Sequence, residues 1–246
     1  MNKFTQNHII PCYSTDASWR LKPASFMDMA QEAATQHANV LGFGYDALIT
    51  SRTVWIISRM HIEYVDAPKW REEMTLQTWH KGLDRLFFLR DFIMTDKEGR
   101  PRVKATTSWL VMNVDTRRLV RDPNLMDAEG VCPENVIETP ADKVQMPKAI
   151  EAEMVMTHKV EYSDVDMNAH ANNAMYMQWA MDAVGYEVTS RHSVRSLTIN
   201  FNHEVMPQEE VNLYRVCVEE EDGLHVFIEG KVEGKSAFIV EIIFNL

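Results

Sequence analysis

Cysteine is scarce. Cys12, Cys132 and Cys217 are the only three in 246 residues, scattered and odd in number. They form neither a disulfide framework nor a zinc-ligand pattern, and they fit a reducing compartment. Glycine and proline are held to nine residues each, too few for a collagen or a low-complexity chain. No apolar stretch is long enough to span a bilayer, and the opening Met1-Asn2-Lys3-Phe4-Thr5-Gln6-Asn7-His8 lacks the apolar run of a secretory signal. Cations are also in deficit, 25 Lys and Arg against 36 Asp and Glu, for a formal charge of −11. Such a chain neutralises phosphates poorly, so nucleic acid is not an expected partner, nor is an anionic lipid surface. What remains, at 46% hydrophobic and 25% charged residues, is an ordinary globular protein, expected in the cytoplasm and without membrane insertion.

Two stretches of the chain resemble each other. Ile62-Glu63-Tyr64 is followed by Glu72-Glu73-Met74-Thr75-Leu76, and Ile199-Asn200-Phe201 by Glu209-Glu210-Val211-Asn212-Leu213, at the same spacing. A helical pattern precedes each block. Phe26, Met29, Ala30, Ala33 and His37 recur at helical spacing before Gly42 and Gly44; Tyr176, Trp179, Ala180, Ala183 and Val184 do so before Gly185. Strand-like alternation follows each block, as in Leu224, Val226 and Ile228 against His225, Phe227 and Glu229. Between the two, residues from about Asp115 to Ile150 carry Pro123, Pro133, Pro140 and Pro147 with no sustained period, which reads as a connection over the surface. One helix per half followed by strands without intervening helices gives an α+β class. The expectation is a double hotdog: residues 1–140 as an N-terminal unit with the connection, and residues 141–246 as a C-terminal unit, each with a long helix wrapped by an antiparallel sheet.

Polar residues concentrate before the second helix, in Tyr162-Ser163-Asp164-Val165-Asp166-Met167-Asn168-Ala169-His170-Ala171-Asn172-Asn173. If this segment is extended, Asp166, Asn168 and His170 point to one side. An imidazole titrates near neutrality, an amide donates to a polarised carbonyl, and a carboxylate orients either. The start of the helix adds backbone N–H groups for a developing oxyanion. Aligning Tyr13-Ser14 with Tyr162-Ser163 sets Ala17, Trp19 and Leu21 opposite the three polar residues. On that alignment the first half is apolar where the second is polar, and the chain has one site.

Asp166-x-Asn168-x-His170 followed by Asn172-Asn173 and Tyr176 resembles the catalytic segment of acyl-ACP thioesterases. So do Ser108-Trp109-Leu110-Val111-Met112-Asn113, Thr116-Arg117-Arg118-Leu119, Trp55-Ile56-Ile57-Ser58-Arg59-Met60, and Leu197-Thr198-Ile199 leading to Glu204. The resemblance covers most of the chain. It implies a double hotdog that hydrolyses the thioester between a fatty acyl chain and acyl carrier protein, with Asp166, Asn168, His170 and Glu204 at the catalytic positions and no cofactor or metal. Plant members carry a cysteine directly after that glutamate; here the residue is Val205. A thiol nucleophile is therefore disfavoured and direct attack by water favoured, with either Glu204 or His170 as general base. Strand parity sets His203 and Glu204 on opposite sides unless the strand has ended. The expected partner is acyl carrier protein bearing its acyl group. An acidic carrier meeting an acidic chain needs a local basic patch, and Arg117 and Arg118, close to Arg121, are its candidates. Alternatives from other classes are an acyl-CoA thioesterase, a hydratase of enoyl thioesters, and a non-catalytic acyl-thioester binder; a homodimer is an open option.

Overall fold

The computed structural model describes residues 2–120 and 130–246; Arg121 and Pro123 lie outside the described residues. By packing, the chain divides into two compact units, Met1–Leu21 with Asp28–Ala141, and Lys22–Met27 with Asp142–Leu246.

The first half contains β1 (Phe4–Ile9), a 3₁₀ turn (Cys12–Ser14), helix α1 (Pro23–Val40), the short α2 (Tyr45–Thr50), and strands β2 (Thr53–Tyr64), β3 (Glu73–Asp84), β4 (Phe87–Thr95) and β5 (Pro101–Asn113). Pro23 opens α1, where its missing N–H costs nothing. Ala30, Ala33, Ala34 and His37 then recur at helical spacing and are all buried, the stripe that packs the helix inward. Past its end, Gly42 takes a left-handed φ of 81°. The strands pair antiparallel in the order β1-β3-β4-β5-β2.

The second half repeats this sequence of elements: β6 (Glu153–Lys159), a 3₁₀ turn (Tyr162–Asp164), helix α3 (Asn173–Val184), the short α4 (Tyr186–Arg191), and strands β7 (Val194–Phe201), β8 (Glu210–Glu220), β9 (Gly223–Val232) and β10 (Lys235–Phe244). Read from β6, the antiparallel order is β6-β8-β9-β10-β7, the order of the first sheet again. Helix α3 lies against this sheet with Ala174, Tyr176, Met177, Trp179 and Ala180 buried. Asn172 caps its start by accepting the Ala174 N–H at 3.0 Å. Arg215 closes its end, donating to the carbonyls of Ala183 and Val184 at 3.2 and 3.1 Å. Each half is a hotdog unit of an α+β protein.

The connection departs from the expectation of a surface loop. It has no regular structure from 130 to 152, yet Cys132, Ile137, Ala141 and Val144 are buried. At residues 136–137 the reason is a buried ion pair in the first unit. Lys81 Nζ and Asp91 Oδ1 stand 2.9 Å apart with their side chains 3% and 0% exposed. Their remaining hydrogen-bonding capacity goes to the connection: Asp91 Oδ2 accepts the Val136 N–H at 2.7 Å, and Lys81 donates to the Ile137 carbonyl at 2.6 Å. Two buried charges need more partners than each other, and the backbone of 136–137 provides them.

Candidate active site

The site is built from β6 outward. After that strand the chain makes a 3₁₀ turn that buries Asp164. Its carboxylate accepts the Glu161 N–H at 2.7 Å, His158 Nε2 at 2.9 Å and Trp179 Nε1–H at 3.2 Å. Burial opposes the charge, but these donors outweigh it and hold the Asp164 carboxyl below the usual carboxylate range. Its backbone carbonyl receives the Asn172 N–H at 2.8 Å, so the turn and the start of α3 are tied together.

Between these two anchors the segment is not extended, contrary to the expectation. Asp166 N–H donates to the His170 carbonyl and Ala169 N–H to the Asp166 carbonyl, both at 3.0 Å. Asp166 Oδ1 takes the Asn168 N–H at 2.8 Å, and Ala169 adopts a left-handed φ of 64°. The result is a tight loop in which an Asp side chain caps the turn. Asp166, Asn168 and His170 are brought together by that closure rather than by strand alternation. Asn168 Nδ2 lies 3.3 Å from Asp166 Oδ2, and His170 Nδ1 lies 3.9 Å from Asp166 Oδ1.

Glu204 arrives from the other side. Strand β7 ends at Phe201, so strand parity no longer governs His203 and Glu204. The Glu204 carboxylate stands 3.8 Å from His170 Nε2. The side chains of Asp166, His170 and Glu204 are 14%, 28% and 32% exposed: shielded, yet open to a small molecule. The four residues singled out by sequence therefore form one cluster, with the imidazole between two carboxylates.

One member was missed as such. Tyr176, on the first turn of α3, accepts the Val205 N–H at 2.9 Å and donates to the His203 carbonyl at 3.4 Å. It thus grips the backbone on both sides of Glu204. Burial, with the nearby Glu204, Glu209 and Asp166 charges, keeps its phenol firmly protonated. Phe238 packs edge-on against it at 5.3 Å, and that ring fits because residue 230 is glycine: a Cβ there would meet Phe238 at 2.1 Å. The only trace in the sequence is a tyrosine in an apolar helix face, a buried hydroxyl that must find partners.

The first half holds a twin of this loop, and it corrects the alignment made from sequence. Asp16 N–H donates to the Arg20 carbonyl and Trp19 N–H to the Asp16 carbonyl. Asp16 Oδ1 takes the Ser18 N–H at 2.8 Å, and Trp19 has φ 67°. The bridge Thr15–Leu21 matches Val165–Ala171. Asp16, Ser18 and Arg20, not Ala17, Trp19 and Leu21, are therefore the counterparts of Asp166, Asn168 and His170. Trp19 is 62% exposed and Leu21 is core at 3%. The first half does keep an aspartate, which shows that this residue shapes the loop; it lacks the imidazole. Leu21 N–H bonds to the Pro68 carbonyl as Ala171 N–H bonds to that of Val205, so Ala67 stands where Glu204 does, and the acid is missing too.

The N–H groups at the start of α3 are largely occupied: Ala171 bonds to Val205, Asn172 to Asp164, Ala174 to the Asn172 side chain and Met175 to the Asn172 carbonyl. They have little capacity left for an oxyanion, whereas the amide of Asn168 is exposed. Cys12, Cys132 and Cys217 are free thiols, and none belongs to the cluster. Arg117 and Arg118 occupy the exposed turn after β5 in the first unit, closed by Arg117 N–H to Asn113 O and Asn113 N–H to Arg118 O. Among the described residues, Glu220, Asp222 and His225 have metal-ligand proximity. Their atoms are already engaged, since His225 faces Asp222 and Glu241 at 2.9 Å each and Asp222 pairs with Arg195.

The two-unit fold agrees with what known proteins show. The pattern of the acyl-ACP thioesterase N-terminal domain matches residues 1–127, and that of the acyl-ACP thioesterase C-terminal domain matches residues 147–246. The chain belongs to the acyl-ACP thioesterase family. Oleoyl-acyl carrier protein thioesterase 1 of Arabidopsis thaliana, a chloroplastic protein, is 27% identical over 85% of this chain and 62% of its own length. The chloroplastic palmitoyl-acyl carrier protein thioesterase of Gossypium hirsutum is 26% identical over 82% of this chain and 52% of its own. The chain thus spans little more than half the length of these curated relatives. Among solved structures, an acyl-ACP thioesterase from Bacteroides thetaiotaomicron aligns with a TM-score of 0.87 at 24% identity, covering 99% of this chain and 98% of that one. The 12:0-ACP thioesterase of Umbellularia californica aligns at 0.88 and 20% identity, over 99% and 94%. The acyl-ACP thioesterase fold is thereby matched end to end. No helix among the described residues is long and apolar enough to cross a membrane.

Proposed function

We propose that this protein hydrolyses fatty acyl–acyl carrier protein to free fatty acid and carrier protein. Membership of the acyl-ACP thioesterase family across both halves supports the substrate class. The observation that carries the mechanism is the imidazole of His170 set between Asp166 and Glu204 at 3.9 and 3.8 Å. Both gaps exceed a direct hydrogen bond, and a water bound at the edge of this triangle reaches both His170 and Glu204. In this reading Glu204 takes a proton from that water as its oxygen adds to the thioester carbonyl, and His170 holds the water in line. One amide hydrogen of Asn168 goes to Asp166; the other is free to meet the carbonyl oxygen as charge develops there. Collapse of the adduct breaks the C–S bond, and the proton returns to the departing sulfur.

Acyl carrier protein is the proposed partner, met through Arg117 and Arg118, and the cytoplasm is the proposed setting, in keeping with three unpaired thiols. The deciding experiment supplies acyl carrier protein and coenzyme A thioesters of matched chain length. The carrier thioester is expected to be cleaved with the higher kcat/KM; cleavage of neither thioester overturns the reading. Reversing Arg117 and Arg118 to Glu is expected to raise KM for the carrier substrate more than for a small acyl thioester, and an equal effect on both removes the patch.

A further inference from the structure

Met206 is an apolar side chain left 45% exposed two residues after Glu204, and the turn that carries it has a twin. Met206 N–H donates to the Glu209 carboxylate at 2.8 Å, and Glu209 N–H to the Met206 carbonyl at 3.2 Å. Gln208 takes a left-handed φ of 72°, and its N–H reaches the Val160 carbonyl at 2.9 Å. The turn after β2 in the first unit repeats each feature. Lys69 N–H meets the Glu72 carboxylate, Glu72 N–H the Lys69 carbonyl, and Arg71, at φ 70°, donates to the Ile10 carbonyl. Lys69 therefore stands in the first unit where Met206 stands in the second.

The twin shows which way Met206 faces. Lys69 is bridged antiparallel to Arg20, the counterpart of His170, and directly opposed residues project from one face. Burial in the second unit agrees. Val205 is buried at 0% while Glu204 and Met206 on either side of it are exposed, the alternation of an extended chain. Met206 thus shares a face with Glu204, whose carboxylate stands 3.8 Å from His170 Nε2. A thioether beside an imidazole and a carboxylate adds nothing to proton transfer. It is unbranched and polarisable, and it moulds itself to apolar groups of irregular shape. A thioester brings such groups with it, because its carbonyl is flanked by one methylene on the acyl side and another beyond the sulfur. The turn fixes the backbone of Met206, so only the side chain has to adapt.

We infer that Met206 is a substrate-contact residue whose side chain packs against the methylenes flanking the thioester. The contact lies at the reacting end of the substrate, not along the rest of the acyl chain, and it rests on the hydrolysis proposed above.

Kinetics and a footprint test it separately. With octanoyl-N-acetylcysteamine, Met206→Leu should keep the KM of the unmodified protein. Met206→Gln, of similar length but polar, should raise KM about three- to tenfold with kcat and unfolding temperature nearly unchanged, the mark of lost apolar contact. Repeating this with the acetyl thioester separates the two methylenes: the effect disappears if the contact is on the acyl side and persists if it is beyond the sulfur. The footprint needs no turnover. Dilute hydrogen peroxide converts a thioether to its sulfoxide and is itself reduced to water. The probe is S-(2-oxononyl)-N-acetylcysteamine, in which a methylene between sulfur and carbonyl prevents hydrolysis. At saturation it should slow sulfoxide formation at Met206, followed by peptide mass spectrometry, and leave Met154, 55% exposed on β6, unchanged. An unchanged KM in folded Met206→Gln overturns the inference, as does oxidation of Met206 at the same rate with and without the probe. Failure of the unmodified protein to cleave any thioester removes the proposed reaction and leaves the footprint to decide the contact.

Discussion

The loop at 15–21 and the loop at 165–171 have one shape and two contents. Both are closed by the same backbone hydrogen bonds, both put a non-glycine residue in the left-handed region, and both use an aspartate to cap the turn. They differ at Ser18 against Asn168, Arg20 against His170, and Ala67 against Glu204. Two further differences are linked. Helices α1 and α3 begin at matching places, which puts Phe26 where Tyr176 stands. The residue whose N–H Tyr176 accepts is Val205, and its counterpart is Pro68, which has no N–H to offer. The phenol and the amide it serves are absent together. The comparison separates scaffold from chemistry: the aspartate and the backbone make the loop, and the few positions that differ are those to which the proposed reaction is assigned.

The largest effect expected is on rate. His170→Ala and Glu204→Ala should each lower kcat by about 10²–10⁴-fold with the fold intact, while Arg20→Ala should leave turnover of the same thioester unchanged. A loss with Arg20→Ala would mean that the first loop takes part. Next comes stability. Asp164, buried and triply hydrogen-bonded, corresponds to the buried Ser14; Asp164→Ala should cost about 3 kcal/mol by leaving its donors unmet, measured by denaturant unfolding, and Ser14→Ala should cost less. The sign with pH follows from the lowered carboxyl. Its contribution is present above the unfolded-state value near 4 and is lost as pH falls through the folded one, so Asp164→Ala should be less acid-sensitive than the unmodified chain. Tyr176→Phe strands the Val205 N–H and should cost about 1–3 kcal/mol, with a fall in kcat as Glu204 loosens. Phe26→Tyr should destabilise by a similar amount, because Pro68 offers its hydroxyl nothing. Asp16→Ala and Asp166→Ala should each cost about 1 kcal/mol through the lost turn, and only the second should touch turnover. Smallest of all, Cys12→Ser and Cys217→Ser, both at exposed thiols, should keep near-normal kcat. An acyl group trapped on either sulfur would replace water attack with a covalent route.

Much of this was legible in the sequence because it is periodic or local. The helical stripes, the repeated Ile-to-acid spacing and the Asp-x-Asn-x-His run are patterns of residue type, and the structure keeps Ile62 with Ile199 in the same register relative to the following strand. The loop was misjudged by one residue because Tyr-Ser occurs in both halves, at Tyr13-Ser14 and Tyr162-Ser163, and the shared letters conceal a shift. Hydrogen bonds, not letters, pair Cys12 with Tyr162 and Asp16 with Asp166. The connection was read as surface because prolines and charges fill it. The charges that anchor it, Lys81 and Asp91, lie on strands far upstream, and a long-range buried pair leaves no local pattern.

The Lys81–Asp91 staple has a consequence for anyone dividing the gene. The last strand of the first half ends at Asn113, and a cloner guided by secondary structure would place a stop codon soon after it. Such a truncation would strip the amides of Val136 and the carbonyl of Ile137 from two charges sealed inside the sheet, and the expressed fragment would aggregate or be cleared. An expression boundary beyond Ala141 keeps the staple, so residues 130–141, which hold no helix or strand, complete the first unit.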